Sequence, residues 1–143
     1  MIKIPDQCEV ETEGSEIVFK ENNKTMIYHN PKNKKCRKVQ VDGCAITEGL
    51  KCDKLLLYSD DEEKAVESYV ELKGEDVPHA IDQILATIPQ IHKDGSKVQA
   101  FIVPTNYSPK VSDKRMRMIQ ELKKKYGKGS QLTIKNRKCE YTI

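Results

Sequence analysis

The apolar residues of this sequence change their spacing at about residue 77, and this change constrains the fold more than any other feature. Before it, two segments rich in strand-forming residues, 51–58 and 65–73, flank the acidic turn 59–63, which predicts an antiparallel hairpin. After it, apolar residues recur at intervals of three and four, which predicts a helix over 77–92 that packs on a sheet. These residues are Ala80, Ile81, Ile84, Leu85 and Ile88.

The rest of the chain contains further strand patterns, at 16–20, 25–29, 37–41, 97–104 and 131–135. The first two flank a turn with two asparagines, which tolerate the left-handed backbone of tight turns, and so predict a hairpin. The apolar run 97–104 is typical of a buried central strand. The order of elements predicts an α/β (α+β) fold, with a mixed central β-sheet flanked by helices.

A second helix is predicted over 113–126, where Ser112 and Asp113 offer an N-cap and two glycines follow the last turn. We expect its apolar stripe to face the sheet. The apolar positions are Met116, Ile119, Leu122 and Tyr126.

The length of 143 residues suits a single domain. We expect residues 48–143 to form its core and residues 1–47 to form a β-rich extension with the first hairpin. The first residues carry no basic patch followed by a long apolar stretch, and no segment approaches the roughly eighteen apolar residues of a membrane span. The sequence therefore predicts a cytoplasmic protein without membrane contact.

Five cysteines occur, at positions 8, 36, 44, 52 and 139, and none forms a C-x-x-C pair. An odd number without such pairs argues against a disulfide scaffold. The eight-residue spacing of Cys36, Cys44 and Cys52 leaves a metal site open, but free cysteines pack well as small apolar side chains. We therefore expect buried thiols.

The charge is distributed unevenly, because residues 110–143 carry eleven Lys and Arg against three acids, whereas residues 1–109 carry a net charge of −5. Such a basic region suits contact with a polyanion, and its simpler alternative is a solvated helix. We predict that basic side chains of the second helix contact nucleic-acid phosphates. These side chains are Lys114, Arg115, Arg117, Lys123, Lys124 and Lys125.

Charged residues alternate at the end of the second strand of the 51–73 hairpin. The two-residue period of a strand sends Glu71 and Lys73 to one face. Asp53 comes near the start of the partner strand, and an antiparallel hairpin brings it level with Glu71 or close to it. Two carboxylates suit Mg²⁺ or Mn²⁺, which prefer oxygen ligands, and a lysine beside them can orient water or offset phosphate charge.

Asp53 followed by Glu71-Leu72-Lys73-Gly74 and a helix resembles the motif of the PD-(D/E)XK nuclease superfamily, whose core is restriction-endonuclease-like. The small Holliday-junction-resolvase and RecB-like branches are the nearest analogues. The resemblance implies that Asp53 and Glu71 bind a divalent metal ion and that Lys73 acts in catalysis. It also implies that Gln83, on the following helix, lies near the active site. The implied activity is that of a metal-dependent endonuclease, with DNA favoured over RNA and a homodimer expected for cutting both strands.

Several alternatives stay open at the level of sequence. Asp42, which precedes a glycine, is a substitute for Asp53, although Asp-Gly is first of all a turn signal. An upstream catalytic glutamate has three candidates, Glu48, Glu11 and Glu9. The chain also fits a catalytically inactive nuclease-like fold that serves as a binding module, such as an immunity or antitoxin protein.

Overall fold

The structure is a computed structural model that describes residues 2–73, 76–108 and 113–143. Ser112 of the predicted N-cap and Gly74 of the motif lie outside the described residues. The helices are α1 (Val77–Ile91) and α2 (Asp113–Tyr126), and one turn of 3-10 helix spans Asp6–Cys8. The strands are β1 (Glu9–Thr12), β2 (Glu16–Glu21), β3 (Lys24–His29), β4 (Cys36–Gln40), β5 (Lys54–Ser59), β6 (Ala65–Glu71), β7 (Lys97–Ile102), β8 (Gln131–Ile134) and β9 (Lys138–Thr142).

A mixed six-stranded sheet in the order β1-β4-β5-β6-β7-β8 forms the centre of the molecule. Strands β5 and β6 pair antiparallel, with Leu55 opposite Tyr69, which confirms the predicted hairpin. Strands β6, β7 and β8 run parallel, so each connection between them must cross over the sheet, and α1 and α2 are those crossovers. The predicted mixed α/β fold is therefore confirmed.

Both helices lie on one face of this sheet. The alternating pattern of β5 sends Leu55 towards them, where it is buried in one apolar cluster with Ile84 and Ile88 of α1 and Leu122 of α2. Asp76 precedes α1, and its side chain accepts a hydrogen bond from the backbone N–H of His79, which caps the helix. The larger part of the apolar core lies between the two helices and the six-stranded sheet.

A second sheet, with three strands in the order β2-β3-β9, covers the opposite face. Strand β9 pairs parallel with β3, so residues near the two ends of the described chain lie side by side. Tyr28 of β3 hydrogen-bonds to Ser68 of β6 at 2.6 Å and stands edge-on to Phe101 of β7. The fold thus has three layers: helices, six-stranded sheet and three-stranded sheet.

The predicted apolar stripe of α2 is wrong in one position. Met116 is 50% exposed, whereas Met118 is 1% exposed and lies in the core. On a helix of 3.6 residues per turn, Met118, Leu122, Tyr126 and Ile119 fall within about 100° of one another, whereas Met116 lies outside this range. Leu122 is buried as expected, and Ile119 and Tyr126 pack against the same cluster.

The expectation that all five cysteines are free thiols is also wrong. Cys8 and Cys44 form a disulfide across 36 positions of sequence. Strand β1 was not predicted, and its pairing with β4 brings the residue before β1 beside the turn that follows β4. Cys36, Cys52 and Cys139 are free and buried, as expected.

No helix among the described residues is long and apolar enough to cross a membrane.

Candidate functional site

The three motif residues lie where the β5–β6 hairpin opens. Asp53 directly precedes β5, Glu71 is the last residue of β6, and Lys73 follows two positions later. The backbone N–H of Asp53 donates to Val70 O at 3.2 Å, which keeps Asp53 alongside the end of β6. The structure therefore brings these three residues to one edge of the sheet, as the period of the hairpin predicts.

The Asp53 side chain is 3% exposed and its Oδ2 atom is held firmly. Oδ2 accepts hydrogen bonds from the backbone N–H groups of Leu72 and Lys73, each at 2.7 Å. Two such bonds from backbone amides hold the carboxylate in one orientation. Asp53 therefore fixes the path of the chain after β6, and its Oδ1 atom lies 3.8 Å from Lys73 Nζ.

The Lys73 ammonium lies among three carboxylates. Its Nζ atom donates to Asp42 Oδ2 at 3.0 Å and lies 3.8 Å from both Asp53 Oδ1 and Glu21 Oε1. The hydrogen bond to Asp42 is the largest cause that raises the pKa of Lys73, with smaller contributions from the other two carboxylates, while burial acts in the opposite direction. Lys73 is thus held in its charged form.

Asp42, the substitute that the sequence offered for Asp53, is the carboxylate nearest to Lys73 in the described part of the chain. It lies in the turn after β4, which is closed by a hydrogen bond from Ile46 N–H to Val41 O at 3.0 Å. Both Asp42 and Val41 donate their backbone N–H to Asp53 O, so this turn is attached to the start of β5. Asp42 therefore lies beside Lys73 together with Asp53 and does not replace it. The Asp-Gly turn is the sequence feature that pointed to Asp42.

Glu21 was not predicted as a site residue. It is the last residue of β2, in the three-stranded sheet, and reaches Lys73 from the layer opposite the helices. Nothing in the local sequence indicates this contact, because it depends on how the two sheets stack.

Glu71 is 1% exposed. Lys54 pairs with Val70 in the antiparallel register, so Glu71 and Asp53 come next on their two strands, at the same end of the hairpin. Burial is the largest cause that raises the pKa of Cys52, and the two carboxylates raise it further. This thiol is therefore an unreactive core residue and not a nucleophile.

Gln83 of α1 attaches the helix to the segment before Asp53. Its Nε2 atom donates to Lys51 O at 3.2 Å, and its Oε1 atom is buried without a hydrogen-bond partner among the described residues. One turn later, Thr87 Oγ1 accepts from the backbone N–H of Cys52 at 2.8 Å. The helix therefore positions Asp53 through its two preceding residues, and Gln83 does lie near the site.

The three candidates for an upstream glutamate lie elsewhere. Glu9 and Glu11 belong to β1, an edge strand that β4 and β5 separate from β6, and Glu9 pairs with Arg37 at 3.3 Å. Glu48 lies in the exposed loop before β5. The nearby acids are instead Asp42 and Glu21.

The donor chemistry of this edge suits a hard cation, because its side chains offer carboxylate oxygens. In the described part of the chain, no three His, Cys, Asp or Glu side chains converge as a protein-only metal cage would require. Mg²⁺ does not need such a cage, since it commonly takes one or two carboxylates and completes its shell with water and substrate phosphate. Asp53 and Glu71 therefore fit Mg²⁺ or Mn²⁺ by ligand type and number.

The six basic residues predicted to contact nucleic acid divide into two groups. Lys114 pairs with Asp82 of α1 at 2.7 Å and Lys125 with Glu121 at 2.6 Å, so neighbouring acids offset both charges. Arg115 is half-buried. Arg117, Lys123 and Lys124 are exposed on the helix, as is Lys125 beside Glu121.

A cavity of about 690 Å³ lies away from this edge. It is lined by the N-terminal residues Ile2 and Ile4, by Leu57 and by Arg37, and none of the motif residues reaches it.

Comparison with known proteins adds no relative: no family model, curated protein or solved structure matches this chain.

Proposed function

We propose that this protein is a metal-dependent nuclease that hydrolyses phosphodiester bonds of nucleic acid, with DNA as the favoured substrate. One observation carries the proposal. Asp53 and Glu71 lie at the same end of one hairpin, and the Lys73 ammonium lies 3.8 Å from Asp53 Oδ1. Two carboxylates for a cation and one ammonium for a phosphate are the groups that such a hydrolysis needs.

Each residue has a distinct task in this proposal. Asp53 and Glu71 would hold Mg²⁺ or Mn²⁺, which lowers the pKa of bound water and offsets charge on the phosphate. Lys73 would offset charge that develops on the phosphate oxygens or orient the attacking water. Asp42 would keep the Lys73 ammonium in place, and Gln83 would fix the segment that carries Asp53.

The direct test is a cleavage assay on duplex, single-stranded and branched DNA and on RNA, with Mg²⁺ and with Mn²⁺. The variants are Asp53→Asn, Glu71→Gln and Lys73→Met, and each should cut slowly or not at all. Glu62→Gln is the matched control, because it removes a carboxylate from the exposed β5–β6 turn and should cut like the wild type. A wild-type protein that cleaves none of these substrates would refute the proposal.

Metal affinity should separate the carboxylates from the lysine. Glu71→Gln lowers the negative charge of the site and should weaken Mn²⁺ binding in calorimetry. Lys73→Met removes a competing positive charge and should preserve or tighten that binding. Equal effects of the two variants would argue against these assignments.

A second function, a catalytically inactive nuclease-like binding module, has its own support. Asp53 Oδ2 already accepts two backbone hydrogen bonds, and the Lys73 charge is balanced by nearby carboxylates. The group formed by Asp53, Lys73 and the nearby carboxylates is therefore stable without any ligand. A wild type that binds neither Mg²⁺ nor Mn²⁺, with three variants that fold and behave like it, would favour this function.

The proposed partners follow from the proposed chemistry. A single site in so small a chain cuts one strand at a time, so cleavage of both strands would need two copies facing one duplex. We therefore propose a homodimer on DNA, in the cytoplasm. Sedimentation with and without a duplex tests this, and a protein that stays monomeric while cutting both strands would contradict it.

A further inference from the structure

Two lysines lie together at the open edge between the two sheets. Lys38 of β4 and Lys54 of β5 are diagonal neighbours on the face that the three-stranded sheet covers, because Lys54 stands opposite Gln40 in the β4–β5 register. Both side chains are half-buried. Lys38 Nζ donates to Val18 O at 2.7 Å and lies 5.1 Å above the ring of Phe19.

Neither ammonium has an acidic partner among the described residues. Lys38 bonds to a carbonyl oxygen, and Lys54 Nζ donates to the neutral amide oxygen Gln40 Oε1. Burial is the largest cause that lowers the pKa of Lys38, the like charge of Lys54 lowers it further, and no carboxylate raises it. Two half-buried positive charges thus repel each other, and a bound anion would remove that cost.

Both ammonium groups keep hydrogen-bonding capacity. An ammonium has three N–H donors, and within the described residues each of these groups forms one hydrogen bond. A phosphate has several oxygens that accept charge-assisted hydrogen bonds from two ammonium groups at once. Two half-buried ammonium groups with unused N–H donors therefore match the hydrogen-bond acceptors of such an anion.

This lysine pair is connected to the candidate catalytic edge by one side chain. Gln40 accepts from Lys54 through Oε1 and donates through Nε2 to Asp42 O at 2.7 Å. Asp42 in turn holds Lys73. A strand of nucleic acid lying at Lys73 would therefore pass close to Lys54.

We propose that Lys38 and Lys54 form a subsite for a backbone phosphate next to the one at Lys73, in the same nucleic-acid strand. The inference rests on the proposed function, since it takes nucleic acid as the ligand. It adds a second region of contact with the polyanion, because the sequence pointed to the basic C-terminal quarter and these lysines come from β4 and β5.

The test is binding of labelled duplex and single-stranded oligonucleotides in EDTA, where no cleavage occurs, over a series of salt concentrations. Lys38→Gln and Lys54→Gln should each weaken binding several-fold and lower the slope of log affinity against log salt by about one. Lys38→Arg and Lys54→Arg keep the charge and should bind nearly as the wild type does. Lys32→Gln is the charge-matched control, because Lys32 is exposed and already paired with Asp61 at 2.9 Å.

The outcomes separate this inference from the nuclease proposal. If the wild type binds and the double Gln variant binds equally well with the same salt slope, the subsite is refuted while cleavage remains to be judged by its own assay. If the wild type binds with the expected variant effects but never cleaves, the subsite stands and the nuclease proposal fails. A wild type that binds no oligonucleotide overturns the subsite.

Discussion

Lys73 Nζ lies 3.0 Å from Asp42 Oδ2 and 3.8 Å from Asp53 Oδ1, so among the described residues an aspartate in a turn lies closer to the candidate catalytic lysine than the motif residue does. Asp42→Asn is therefore expected to lower the pKa of Lys73, because the hydrogen bond to Asp42 is the largest cause of its rise. An NMR titration of the Lys73 ε-methylene measures this. Glu21→Gln should lower the pKa less, since Glu21 is 3.8 Å away, and a larger effect of Glu21→Gln would contradict the assignment.

Replacing Asp53 by alanine is expected to destabilise the fold. The change leaves the buried N–H of Leu72 and the N–H of Lys73 without their acceptor, at a cost of about 2–4 kcal/mol in the free energy of unfolding. Asp53→Asn keeps an oxygen that accepts hydrogen bonds and should cost clearly less. Urea denaturation measures both values, and equal stability of the two variants would show that these bonds contribute little.

The exposed basic residues of α2 should contribute to nucleic-acid affinity through phosphate contacts. The combined variant Arg117→Gln, Lys123→Gln, Lys124→Gln is expected to weaken binding and reduce its salt dependence. The matched control is Lys125→Gln, whose charge is already offset by Glu121, and its effect should be smaller. If the triple variant matches the wild type in affinity and salt slope, this face of α2 is merely solvated.

The two methionines of α2 offer a direct check on which face of the helix is buried. Met118→Ala should lower the free energy of unfolding by about 2–5 kcal/mol, because it removes a side chain that is 1% exposed. Met116→Ala, at a residue that is 50% exposed, should change it by less than about 0.5 kcal/mol. Chemical denaturation gives both values, and the reverse order would reinstate the stripe that the sequence predicted.

The Cys8–Cys44 disulfide should stabilise the oxidised protein by about 3–4 kcal/mol, since it closes a loop of 36 positions in the unfolded chain. Urea denaturation with and without a thiol reductant measures this. The double variant Cys8→Ser, Cys44→Ser should lose the effect of reductant. Under non-reducing conditions the denatured protein should show three reactive thiols, Cys36, Cys52 and Cys139, and five would contradict the pairing.

Much of the central sheet was accessible to prediction because its signals are local. The β5–β6 hairpin follows from two strand patterns and an acidic turn, and α1 follows from its apolar spacing and its start at Val77. The same local register brought Asp53 near Glu71. The local sequence determines the structure of these elements. The positions of the residues on them could therefore be predicted.

The features that were missed depend on contacts between distant segments. Strand β1 has a single apolar residue in Glu9–Thr12, and it is ordered by pairing with β4 rather than by its own pattern. Glu21 reaches Lys73 because the two sheets stack, and no spacing in the sequence encodes that. The disulfide was missed for the same reason, because it depends on where β1 lies.

The parallel pairing of β3 with β9 has a consequence for how the protein is made. Residues 24–29 leave the ribosome long before residues 138–142, and until then β2 and β3 form only a two-stranded ribbon, which is marginally stable in water. Pairing across so many residues is slow, because the intervening chain must first be ordered. Glu21 is carried by β2, so the environment of Lys73 should be completed only after residues 138–142 have paired with β3.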